Sequence, residues 1–112
     1  MGSPALADRY YIIGTACLLQ SRIDEAITWL EKARNARPSL PIARSRLAAA
    51  YALKGEPERA AAELAECRRL AAGDLFASIA RVKADGTWAT PKTLRRFEPW
   101  FTGLRLAGMP EE

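Results

Sequence analysis

Apolar residues recur at three- and four-residue steps along most of this chain, the spacing that lines one face of an α-helix. Leu6, Tyr10, Ile13, Cys17 and Leu18 define the first such face, which runs to about Gln20. Ser3 followed by Pro4 sets its start, with serine as cap and proline at the first helical position, where its missing N–H costs nothing. Ser21 and Asp24 mark a tight turn. Ile23, Ala26, Ile27, Leu30 and Ala33 then carry a second stripe, with Glu31 and Lys32 outward, until Pro38 ends the helix. Leu47, Ala50, Tyr51 and Leu53 form a third face, closed by Gly55 as a left-handed cap. Pro57 opens a fourth helix, with Ala60, Ala61, Leu64, Cys67 and Leu70 in its stripe. Small residues dominate these faces, so the helices can approach closely, and the short connections make them antiparallel neighbours.

Beyond Gly73 the pattern weakens. Asp74 is placed to cap a short helix through Leu75, Phe76, Ile79 and Val82, followed by a loop around Asp85-Gly86 and Trp88. Thr90-Pro91 is another cap and first-turn pair, opening a segment with Leu94, Phe97, Phe101, Leu104 and Leu106 on one face. Pro99 removes a backbone hydrogen bond inside it and crowds the carbonyl of Arg95, which predicts a kink near Glu98 or two short helices. Gly108 stops the run.

Residues 7–40 and 41–74 align with each other at an offset of 34 without a gap. Ala16/Ala50, Leu19/Leu53, Ala26/Ala60, Leu30/Leu64 and Arg34/Arg68 are identical across it, and Ile13/Leu47, Gly14/Ala48 and Ala33/Cys67 match in size. A fixed period of this length is the signature of a stacked repeat, in which one unit cannot bury both its faces. The expectation is an all-α fold: one domain over 1–112, with repeats at 7–40 and 41–74 and a helical cap over 75–107.

Composition narrows the chemistry. The chain has no histidine, which excludes imidazole zinc sites and every Ser-His or Cys-His catalytic arrangement. Its carboxylate pairs, Asp24-Glu25 and Glu111-Glu112, are adjacent in sequence and do not face each other on a helix, the second pair falling at an end expected to fray. No phosphate-cradling glycine loop is present, since Gly103 and Gly108 lack the following Lys-Ser/Thr. No catalytic, cofactor or metal residues are assigned, and an enzyme is not expected. The formal charge of +4 is spread over helix faces, so nucleic-acid binding is the weakest alternative, carried only by Arg95 and Arg96 beside Phe97. Cys17 and Cys67 fall at apolar helix positions, where free thiols act as small hydrophobes; a reduced, cytoplasmic setting follows. No apolar run is long enough to span a bilayer, and membrane association is not expected.

Positions 7–74 resemble the tetratricopeptide repeat, a 34-residue helix pair. The matching residues are Tyr10, Ile13 and Gly14 with Arg44, Leu47 and Ala48, then Cys17/Tyr51, Ala26/Ala60, Leu30/Leu64 and Ala33/Cys67; Pro38 sits at the repeat's proline, and its counterpart Ala72 departs from it. The resemblance implies an α-α superhelix of two helix-turn-helix units plus capping helices. It further implies a concave groove lined by Asp8, Tyr11, Thr15 and Leu18, then Ile42, Ser45, Ala49 and Ala52, with Arg46 at the edge. Such a groove suits a protein or peptide partner with apolar anchors and an acidic group for Arg46. The family's carboxylate clamp is absent, because its positions hold Tyr11, Thr15, Ser45 and Ala49, so chaperone tails are not expected as partners. The alternative is a structural or self-associating module, including a homo-oligomer, whose C-terminal helix fills the groove. Phe97, Trp100 and Phe101 have the spacing of a cap core rather than a ligand site. The tail from Leu94 to Glu111 is similar to the closing segment of bacterial signalling proteins in which such repeats follow an adenylate or guanylate cyclase or a winged-helix domain.

Overall fold

Pro41, Pro57 and Pro91 each stand at the start of a helix, where a fixed φ is an advantage and no hydrogen bond is lost. The computed structural model describes residues 4–84 and 90–112, so the expected cap at Ser3 and the expected loop at Asp85-Gly86 and Trp88 lie outside the described residues. Among the described residues seven helices follow in chain order: α1 (Pro4–Leu19), α2 (Ile23–Ala36), α3 (Pro41–Lys54), α4 (Pro57–Leu70), α5 (Ile79–Ala84), α6 (Pro91–Arg96) and α7 (Glu98–Leu106). Among the described residues there is no strand, and the fold is all-helical.

The first four helices pack in sequence, α1 on α2, α2 on α3 and α3 on α4. The two turns inside the pairs are built alike. Gly55 takes a left-handed conformation at φ 89°, and the next amide, Glu56 N, donates to Tyr51 O at 2.9 Å. Ser21, its counterpart at the offset, takes φ 61°, and Arg22 N donates to Cys17 O at 2.8 Å. Gly14 explains the small residue of the first pair, because a Cβ there would lie 2.6 Å from Leu30 Cγ.

An ionic staple joins one pair to the next. Glu63 on α4 accepts from Arg34 of α2 at 2.6 Å and from Arg44 of α3 at 3.0 Å. Arg44 also donates to Pro38 O from Nε and Nη2, at 3.2 and 3.1 Å. Tyr51 Oη donates to Glu31 at 2.5 Å, and Lys54 pairs with Asp24. Burial, together with that carboxylate, pushes the Tyr51 phenol up to about 12.

Several local expectations change. Asp74 does not cap a helix: Arg68 takes Phe76 O at 3.0 Å and Ala77 O at 3.1 Å, which leaves 71–77 in turns. The helix starts at Ile79, with Ser78 Oγ accepting from Arg81 N at 3.1 Å, and Asp74 pairs with Arg81 instead. Pro99 resolves into two short helices, with Phe97 as the joint at φ −91°, ψ 6°. Thr90 caps the first of them through Thr93 N at 3.2 Å. Ala61 is exposed rather than in the buried stripe of α4. The chain end is tied down: Ile79 N donates to Pro110 O and Ala80 N to Glu111 O, both at 2.8 Å, and Arg105 Nε donates to Glu111 at 2.5 Å.

Candidate functional site

The central helix is α3. It packs against α2 and α4 and also against α7, which touches α1 as well. This arrangement follows from small residues on both surfaces. Ala48, Ala49 and Ala50 are fully buried, and Gly103 of α7 lies so close that a Cβ on it would sit 2.5 Å from Ala49 Cβ and 2.6 Å from Ala49 O. Trp100, Phe101 and Leu104 of α7 are buried in the same core, with the two rings 5.4 Å apart, while Phe97 is half-buried. The aromatic cluster is therefore core.

Arg46 is the charged group at this contact, and only 3% of it is exposed. Its guanidinium lies 4.3 Å from the Trp100 ring centroid and 5.2 Å from those of Tyr11 and Phe97, within cation–π range of all three. Nη1 donates to Thr15 Oγ1 at 3.0 Å, and Nε has no hydrogen-bond partner among the described residues. No carboxylate pairs with it among those residues either. Burial pushes its pKa below the ordinary value of an arginine.

The sequence-predicted groove residues divide sharply. Leu18, Ser45, Arg46, Ala49 and Ala52 are buried, and Ser45 Oγ donates to Ile42 O at 2.7 Å. Tyr11, Thr15 and Ile42 are half-buried, and Tyr11 and Thr15 are engaged by Arg46. Asp8 is exposed, 3.9 Å from Arg37. The set does come together around α1 and α3, but α7 covers Arg46 and Ala49 at its centre. Sequence reasoning weighed Gly103 only against a phosphate-loop pattern; a glycine inside an apolar helical stripe has room for a close neighbour, but it does not say which helix that neighbour is.

An open cleft of about 420 Å³ remains beside this contact, between Ser21, Ile23, Leu53, Glu98, Pro99 and Thr102. Among the described residues no group of three or more histidine, cysteine or carboxylate side chains is placed to hold a metal ion. Burial pushes the Cys67 thiol up to about 12, the mark of a packed rather than a reactive cysteine. No described helix is long and apolar enough to cross a membrane. No family model matches the chain, and no curated protein or solved structure does.

Proposed function

We propose that the chain is a tetratricopeptide-like structural module: two 34-residue helix pairs form a short stack, and the stack's inner face is occupied by its own C-terminal helix. The observation that carries this reading is the seating of Gly103 on Ala49 beside the caged Arg46, on the face where such a stack would hold a peptide. With that face filled, the module acts as a rigid spacer or a platform rather than a peptide receptor. It carries no catalytic role in this reading. A cytoplasmic setting, next to a signalling domain of the kind that the tail suggests, belongs to the same proposal.

A second reading has one observation in its favour. Arg46 is buried with no carboxylate among the described residues, and a partner peptide bearing an acidic group would supply the missing counter-charge. In that case α7 is a lid that the peptide displaces, and the groove residues Tyr11, Thr15 and Ile42 become contacts.

Native-state hydrogen exchange separates the two. If α7 is a fixed part of the fold, the amides of Phe101 and Leu104 open only with the global unfolding that releases Leu47 and Ala50. Exchange of α7 at a much lower opening free energy, with α3 still protected, refutes the structural reading and favours the lid.

A further inference from the structure

The 34-residue offset allows the two first helices to be compared surface for surface, and the comparison exposes a difference. Arg9, Ile13 and Ala16 on α1 correspond to Ala43, Leu47 and Ala50 on α3. All three on α3 are fully buried, whereas all three on α1 are exposed. Ile13 is 40% exposed against 0% for Leu47, and the neighbouring Ile12 reaches 62%. Large apolar residues on a helix already packed along its other side mark a surface made to be covered.

The interface between α2 and α3 offers a template for a helix that would cover it. Leu47 shares a stripe with Tyr51 and Lys54, and α2 engages that stripe through Glu31 and Asp24. The same stripe on α1 is Ile13, Cys17 and Gln20, so the polar anchor of Tyr51 is replaced by a buried thiol. A helix lying on it therefore needs an apolar residue where α2 carries Glu31, since a carboxylate there would be buried without a partner.

Charge at the neighbouring contact is reversed as well. Between the two pairs, Arg34 of α2 meets Glu63, which Arg44 also holds. At the offset, Glu63 becomes Trp29 and Arg44 becomes Tyr10. These rings lie 5.9 Å apart, and Lys32 Nζ stands 4.7 Å from the Trp29 centroid and 5.8 Å from that of Tyr10. A negative site has become a positive one. The complementary helix thus carries a carboxylate where α2 carries Arg34.

We propose that the Ile13 face of α1 is a docking surface for the second helix of a further 34-residue unit joined in register ahead of residue 7. That helix is apolar opposite Ile13 and Cys17 and acidic opposite the Tyr10, Trp29 and Lys32 cluster. The proposal rests on the repeat reading above and extends it. A second copy of this chain is the poorer occupant: its α2 is already packed between α1 and α3, and its α4, although it has Ala65 at the position of Glu31, places Arg68 at that of Arg34, against the Lys32 cluster.

The test extends the full chain with a copy of residues 7–40 placed before Ala7, the copy carrying Glu31→Leu and Arg34→Glu. Urea unfolding is expected to give a single transition, at a higher midpoint than that of the 112-residue chain. The gain is lost on Ile13→Lys at the junction, while the same substitution in the unextended chain, at an exposed position, leaves its midpoint nearly unchanged. An otherwise identical extension that keeps Arg34 has the lower midpoint of the two. Two separate transitions, equal midpoints for the extensions with and without Arg34→Glu, or a harmless junction Ile13→Lys overturns the proposal. So does concentration-dependent association of the unextended chain that Ile13→Lys abolishes, which assigns the face to a second copy. The structural role of α7 is judged by its own amide exchange, so either reading can fail while the other stands.

Discussion

Replacing Gly103 by alanine tests the contact between α7 and α3 on which the proposed structural reading depends. In an isolated helix the change is favourable by about 1 kcal/mol, because alanine loses less backbone entropy. Here the new methyl would lie 2.5 Å from Ala49 Cβ, 2.6 Å from its carbonyl oxygen and 2.7 Å from its Cα. Carbon atoms at rest stand about 3.5–4.0 Å apart, so α7 must retreat from α3 by roughly 1 Å, loosening Trp100, Phe101 and Leu104 together. Overpacking of this kind costs about 1–3 kcal/mol, and more where the obstacle is backbone, which cannot rotate away. The expected net loss is about 2 kcal/mol, or a urea midpoint lower by about 1–2 M at the slope usual for a small domain. Ala49→Gly in the same chain removes only the methyl contact and leaves the carbonyl and Cα in place, so it restores little. Gly14→Ala serves as a control, since its nearest obstacle is the movable Leu30 side chain, and its cost is expected to be smaller. A Gly103→Ala protein as stable as the parent, or full rescue by Ala49→Gly, refutes the packing described for α7.

Four further outcomes follow from the same geometry. Arg46→Met should be neutral or stabilising by about 1–2 kcal/mol, because it removes an uncompensated buried charge while keeping the volume; Arg46→Ala should destabilise by about 2–4 kcal/mol through the cavity it leaves. Equal losses for the two in urea titration would mean that the aromatic cage outweighs desolvation. Glu63→Gln should cost about 2–3 kcal/mol, since it strands Arg34 and Arg44 on a largely buried contact, and an unchanged midpoint would dismiss the staple. Ser21→Gly should stabilise by up to about 1 kcal/mol by relieving a left-handed residue, read as a raised thermal midpoint. Alkali should unfold the protein progressively: Cys67 and Tyr51 are both held protonated, with pKa values raised from 9.0 and 10.0 to about 12, so their contribution is complete below pH 9 and is lost as pH rises through 12. Cys67→Ala should flatten that limb, and an identical pH profile would count against the burial assigned to the thiol.

The first four helices were legible because each signal was local. Proline starts, the Gly55 stop and the apolar stripes act within a turn or two of the chain; α3 stops at Gly55 and α4 begins at Pro57 as those residues predict. The expected helix after Asp74 failed for a non-local reason: the carbonyls that would have continued it are taken by Arg68, a residue on the preceding helix. Ala61 and Ile13 were read into buried stripes because periodicity identifies an apolar face without saying whether anything lies on it. The same limit applied to the groove. Its residues lie on α1 and α3, yet no local rule shows that a glycine 54 positions beyond Ala49 packs against the same helix. That pairing depends on how the segment after residue 89 folds back.

The positions where the 34-residue match breaks also distinguish the surfaces of α1 from those of α3, and of α2 from those of α4. Where α1 has Ile12, α3 has Arg46, and it is at Arg46 that α7 folds down. Where α2 has Trp29, α4 has Glu63, and it is at Glu63 that one pair is bolted to the other. At each site the second unit carries a charged residue already engaged within the chain, and the first carries an apolar one. Glu63 is paired with two arginines, whereas Arg46 is enclosed by three rings and has no carboxylate among the described residues. Ile12, Ile13 and Trp29 make no such demand, because an apolar surface accepts any helix of the right shape. In the proposed docking, selectivity at that end would come from charge, with Lys32, held over Trp29 and Tyr10, as the group that would tell an acidic neighbour from a basic one.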